Sequence, residues 1–173
     1  MKKAEKFLGG FAIIGLVMKF ALIPGHGLIT VVSLSFLSLL YFFFGFALFN
    51  DIPFRKIFKK ESYQGISPAK MIGTIGLGFS LSEVVIGILF KFQSYPGSTM
   101  QMMTGIFFTL VILIVALTRS GKDKSNFYKN IFARIIIVGG FGLLTLLTPR
   151  DWLMRVIHRD NPEYLEQMNN PER

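Results

Sequence analysis

The sequence predicts an all-α polytopic membrane protein, with two tandem transmembrane helical hairpins and a fifth membrane segment. Three observations predict it. Residues 20 to 50 and 92 to 118 carry no charged side chain, and about 20 apolar residues already span a bilayer as a helix. A twelve-residue pattern occurs twice, as IGLVMKFALIPG at 14 to 25 and IGILFKFQSYPG at 86 to 97, an offset of 72 residues. Positive charge collects between the apolar runs and is sparse within them. Composition agrees, since hydrophobic residues make up 51% and charged residues 17%, against roughly 25% charged in a soluble domain. Mean hydropathy is +0.52.

Inside lipid the backbone must satisfy its own hydrogen bonds, and none of these runs alternates as a barrel strand would, so the spans are helical. The first hairpin takes residues 1 to 49, with helices near 7 to 23 and 27 to 49. Its opening, MKKAEK and then FLGGFAIIGLVM, has the basic start and apolar core of a secretion signal. No small-residue cleavage site follows, however, and the pattern returns in mid-chain.

The two copies share Ile14/Ile86, Gly15/Gly87, Lys19/Lys91, Phe20/Phe92, Pro24/Pro96 and Gly25/Gly97. Generic hydrophobicity does not place Lys, Pro and Gly at fixed spacing, so an internal duplication of a helical hairpin is expected. In each copy the proline disfavours helix in the residue before it, and the glycine accepts the dihedrals of a tight reversal.

A basic connector follows at 50 to 70, where Phe54, Ile57 and Phe58 of FRKIFKK are expected on one face of a short amphipathic segment at the headgroups. Ser67 and Pro68 read as N-cap and first-turn proline of the next helix. The second hairpin, 71 to 118, has helices near 71 to 93 and 98 to 118. A cytoplasmic loop at 119 to 130 leads to the fifth segment, 131 to 148. Its uncharged stretch is short, so Arg134 must snorkel for the helix to begin early, while Gly139, Gly140 and Gly142 suit close helix packing. From 149 to 173 we expect an interfacial helix carrying Trp152, Val156 and Ile157, closed by Asn161 and Pro162, and then a polar tail.

Net charge is +9, but 13 of the 19 basic residues flank apolar spans, at the amino terminus and in the two connectors. No basic domain is left for nucleic acid, so none is expected as a partner. The turns at Pro24 and Pro96 hold no charge of their own. The amino terminus and connectors are therefore placed in the cytoplasm and the turns outside, with the repeats parallel about an axis along the membrane normal. A crossing fifth segment puts Arg150, Arg155, Arg159 and Arg173 outside, whereas a re-entrant one keeps them inside.

Ionisable groups within spans are costly and are the default functional candidates. Three qualify: Glu83, Lys19 and Lys91. Each lysine stands five residues before its proline, within reach of the interface or of helix-end carbonyls, or of a partner. Glu83 lies deep in its span and must be neutral, paired or hydrated. Its conceivable partners are Lys19, Ser80, Ser82, Tyr41 and Thr109, and it is either a structural hydrogen-bonded group or a handler of protons. Gly76/Ser80 and Gly78/Ser82 read as helix-packing pairs. The two histidines, His26 and His158, are expected to be solvated. With no cysteine and no HExxH, nucleophile elbow or phosphate loop, no catalytic, cofactor or metal set is expected, and the chain reads as non-enzymatic.

The pattern IGxxxKFxxxPG, resting on Lys19, Pro24 and Gly25 and on Lys91, Pro96 and Gly97, resembles the amino-terminal membrane hairpin of the inner-membrane motor subunit of Bacteroidota gliding motility and type IX secretion. The resemblance covers about 40 residues in each copy. It implies a bacterial inner membrane, homo-oligomerisation and a periplasm-spanning partner. That family has a glutamate in its second membrane helix, and the matching neighbourhoods here hold Leu37 and Thr109. The function expected is therefore that of a non-enzymatic subunit or scaffold of a membrane complex, with a small transporter or proton pathway through Glu83 as the alternative.

Overall fold

Runs of Leu, Ile, Val and Phe, broken only where Pro and Gly cluster, wind into helices throughout the computed structural model, which describes residues 1–121 and 126–169. The helices are α1 (Lys2–Phe20), α2 (His26–Phe49), α3 (Pro68–Phe92), α4 (Ser98–Ser120), α5 (Asn126–Leu147), α6 (Arg150–Ile157) and α7 (Pro162–Asn169). Among the described residues there is no strand. Four helices, α2 to α5, are long and apolar enough to cross a membrane. The remaining expected span, 7 to 23, falls in α1. Every 18-residue stretch of α1 holds Lys3, Glu5, Lys6 and Lys19, and its polar start keeps it outside that set.

Consecutive long helices pack side by side from α1 to α4, and α5 lies against α3 and α4. This puts α3 in the middle, with Leu77, Leu81 and Val84 fully buried. Small residues set the closeness of its contacts. A Cβ on Gly45 would stand 2.7 Å from the Cα of Gly78, and one on Gly78 would stand 2.5 Å from the carbonyl oxygen of Tyr41. The backbones of α2 and α3 therefore touch. One residue turn further, Ser82 on α3 and Ser38 on α2 share a hydrogen bond of 2.7 Å between hydroxyls. Ser80 faces the other way, its carbonyl 2.9 Å from where a Cβ of Gly105 on α4 would lie. Of the three glycines in α5, a Cβ on Gly142 would stand 2.2 Å from a Val84 methyl and one on Gly139 would stand 3.3 Å from the Thr109 methyl, while Gly140 has open space.

The turns at the two PG sites have matching geometry at the 72-residue offset. Leu22 and Ser94 have φ of 57° and 61°, and Gly25 and Gly97 have φ of 86° and 82°. Ile23 N–H donates to the Met18 carbonyl at 2.9 Å, and Tyr95 N–H to the Phe90 carbonyl at 2.8 Å. The inner contact repeats as well. Gly15 lies against Thr30 and Gly87 against Met102, again 72 residues apart.

Local structure departs from expectation in three places. Between α2 and α3 the FRKIFKK segment forms a short 3-10 turn, Phe54–Lys56, and its last lysine opens a second, Lys60–Tyr63. Its apolar residues part company, for Ile57 is buried and Phe58 is 95% exposed. The expected Ser67 cap and Pro68 start are present, with the Ser67 hydroxyl accepting from the Lys70 N–H at 3.3 Å. The helix of the fifth segment begins at Asn126 inside the expected loop 119 to 130, because Tyr128 and Ile131 bury on the helical face that continues to Ile135. A wide-turned stretch, Ile135–Gly139, then shifts its register. Asn161 and Pro162 start a helix as well as end one: Asn161 accepts from the Tyr164 N–H at 3.1 Å, capping α7 with proline at its first position. The rest of the loop, 122 to 125, and the final tail, 170 to 173, lie outside the described residues.

Candidate functional site

Charged side chains occur at both ends of the bundle, and each set is built by a different helix pairing. At the end where α1 begins, Glu5 and Arg134 meet across α1 and α5. Arg134 Nε donates to Glu5 Oε1 at 2.6 Å and its second guanidinium nitrogen to Oε2 at 2.7 Å. The side chains are 12% and 13% exposed. Tyr41 of α2 donates to the same carboxylate at 3.0 Å, and the guanidinium lies 5.3 Å from the Phe49 ring centre. A planar fork on a carboxylate, desolvated and with a third donor, is the strong form of an ion pair.

Glu83 accepts a hydrogen bond from the Gln101 side-chain amide on α4. None of the five partners expected from sequence reaches it. Tyr41 serves Glu5, Ser82 serves Ser38, and Ser80 donates to the Leu77 carbonyl within its own helix. Among the described residues the Thr109 hydroxyl is buried without a partner, and Lys19 lies at the turn end of α1. By the 72-residue offset, Phe11 and Ile29 stand where Glu83 and Gln101 do. This polar contact belongs to the second helix pair alone.

The two equivalent lysines do different work. Both are buried, Lys19 at 4% and Lys91 at 6% exposure. The Lys91 ammonium donates to the carbonyls of Thr145 at 2.5 Å, Leu146 at 3.2 Å and Thr148 at 2.5 Å. It therefore satisfies the orphan acceptors at the end of α5 and sits favourably against the helix dipole. The Lys19 ammonium has no hydrogen bond or ion pair among the described residues, since α5, whose carbonyls Lys91 binds, ends at Lys91.

Around Lys19 the fold gathers the two histidines, which the sequence reading left solvated and apart. α6 lies across the turn end: the Ser94 hydroxyl reaches the sulfur of Met154 at 2.9 Å, and Arg159 donates to the Phe20 carbonyl at 3.2 Å. This brings His158 to the end of α1. Among the described residues the Nδ1 of His26 and the Nε2 of His158 are both buried without partners, and the His158 ring lies tilted at 38° against Tyr164 with centroids 4.4 Å apart. Burial pushes the His158 imidazole below its usual range, Lys19 and His26 push the same way, and Asp160 opposes them.

Among the described residues no three His, Asp or Glu side chains gather as metal ligands. The sequence missed Glu5 because it falls in the basic, polar opening, where nothing marks it as buried. The His26 and His158 pairing depends on how α6 folds back, and residue spacing does not encode that. No protein-family model, curated protein sequence or solved structure matches the chain.

Proposed function

We propose that the chain is a non-enzymatic subunit or scaffold of a membrane complex. In this reading its helix pairs α1/α2 and α3/α4 are parallel duplicated hairpins, α5 is a fifth crossing, and the amino terminus is cytoplasmic. The observation that carries it is the commitment of three of the charged groups in the bundle, Lys19 being the exception, to internal ties. Glu83 is held by Gln101, Lys91 by the carbonyls closing α5, and Arg134 by Glu5. Outward, α2 and α4 present wide apolar faces, including Phe36, Phe43, Leu110 and Ile114, suited to lipid and to neighbouring helices. The matching turns and the Gly15/Thr30 and Gly87/Met102 contacts support the duplication.

The resemblance to the gliding and type IX secretion hairpin favours a bacterial inner membrane, self-association and a periplasm-spanning partner. Leu37 and Thr109 stand where that family carries its glutamate, so proton-driven motor activity is not part of the reading. One observation favours a small proton pathway instead: Glu83 is the single carboxylate of α2 to α5, and it is only half-buried. Reconstitution in liposomes containing a pH-sensitive dye separates the two. A scaffold gives tight vesicles for wild type and Glu83→Gln alike, and gentle extraction from its native membrane retains defined partners. Proton flux abolished by Glu83→Gln would overturn it.

A further inference from the structure

Where α3 begins and α4 ends, α3, α4 and α5 part around a groove of about 480 Å³, within the range of roughly 300 to 1,000 Å³ common for small-molecule sites. Its walls are apolar, with Ile72, Phe108, Ile112 and Val115 along the helices and Gly73 and Gly76 on its floor. Two cations stand at its mouth. Lys70 is in the first turn of α3, its ammonium 4.9 Å from the Phe127 ring centre, and Arg119 is exposed in the last turn of α4.

We propose that this groove binds an anionic phospholipid, one acyl chain lying between the three helices and the headgroup phosphate held by Lys70 and Arg119. The occupant follows from the setting and the charge. A lateral apolar groove on helices long enough to cross a bilayer is open to acyl chains, and basic pockets between such helices select anionic headgroups. Phe127 positions the lysine, and an arginine fork suits a phosphate. The groove's two cations are Lys70 and Arg119, and the Thr74 hydroxyl, which also lines it, is engaged with Asn50 and its own helix, so an ion without a chain gains little in the apolar remainder. The proposal rests on the bilayer placement of α3, α4 and α5, and is independent of the scaffold reading.

Gly73 supplies the decisive variant. A Cβ there meets nothing within 4 Å, so a leucine side chain starts unobstructed at a position that lines the groove, and leucine for glycine inside a helix raises helix propensity. The full chain is reconstituted into vesicles of equal phosphatidylglycerol and phosphatidylcholine, extracted gently, and its retained lipid identified by native mass spectrometry. Wild type retains phosphatidylglycerol preferentially. Lys70→Gln and Arg119→Gln each reduce that preference about fivefold, and Gly73→Leu loses retained lipid of both kinds while keeping its helical circular dichroism. Glycerol phosphate, which has no chain, does not displace the lipid. Equal retention of the two lipids by wild type overturns the proposal, as does undiminished phosphatidylglycerol in Gly73→Leu or displacement by glycerol phosphate.

Discussion

Replacing Arg134 by methionine keeps most of the stem volume and removes only the guanidinium. Glu5 then remains about one-eighth exposed, with Tyr41 as its sole strong donor. Breaking one side of a buried ion pair costs about 3–5 kcal/mol. The residual exposure and the tyrosine place Arg134→Met at the lower end, near 3 kcal/mol, and Glu5→Met at about 2–3 kcal/mol. In the double variant no charge is stranded. What remains is a tyrosine hydroxyl without its acceptor, at about 1–2 kcal/mol. The double variant is therefore expected to be more stable than either single one, with a coupling of at least about 2 kcal/mol in the double-mutant cycle. Equilibrium unfolding in mixed detergent micelles, followed by helical circular dichroism, measures all four proteins. If the two single costs simply add, α1 and α5 are not held together by this pair and the reasoning fails.

Two further outcomes are expected from the same kind of measurement. Lys91→Met leaves the closing carbonyls of α5 without their donor and destabilises by about 2 kcal/mol, whereas Lys19→Met, which removes a charge with no bonded partner, leaves stability unchanged or raised; equal losses in both would contradict the assignment. His158 has a folded pKa below its unfolded value of about 6.5, so the unfolded chain takes up its proton first and stability falls as pH drops below about 6.5; His158→Asn flattens that dependence, and an unchanged pH profile in the variant argues against it.

Sequence reading captured what depends on local chemistry. Proline and glycine at 24, 25, 96 and 97 mark the reversals because their backbone preferences are intrinsic, and Ser67 with Pro68 marks the start of α3 for the same reason. The lysines were singled out because a charge in an apolar run is visible without coordinates. Their divergence was not visible, as Lys91 has acceptors only because α5 ends beside it, 54 or more residues further along the chain. Glu83 was found but its partner was not, since Gln101 lies across the turn and amides carry no charge to attract notice. Phe54, Ile57 and Phe58 have helical spacing, yet the connector from Pro53 to α3 winds into two separate 3-10 turns, Phe54–Lys56 and Lys60–Tyr63, in place of one amphipathic helix.

Where Gly45 meets Gly78, main chain lies on main chain at the seam joining the two helix pairs. No rotatable group intervenes there, so this seam has no second side-chain arrangement to switch into. Its closeness rests on two hydrogen atoms, and any larger residue at either position forces the two helix axes apart.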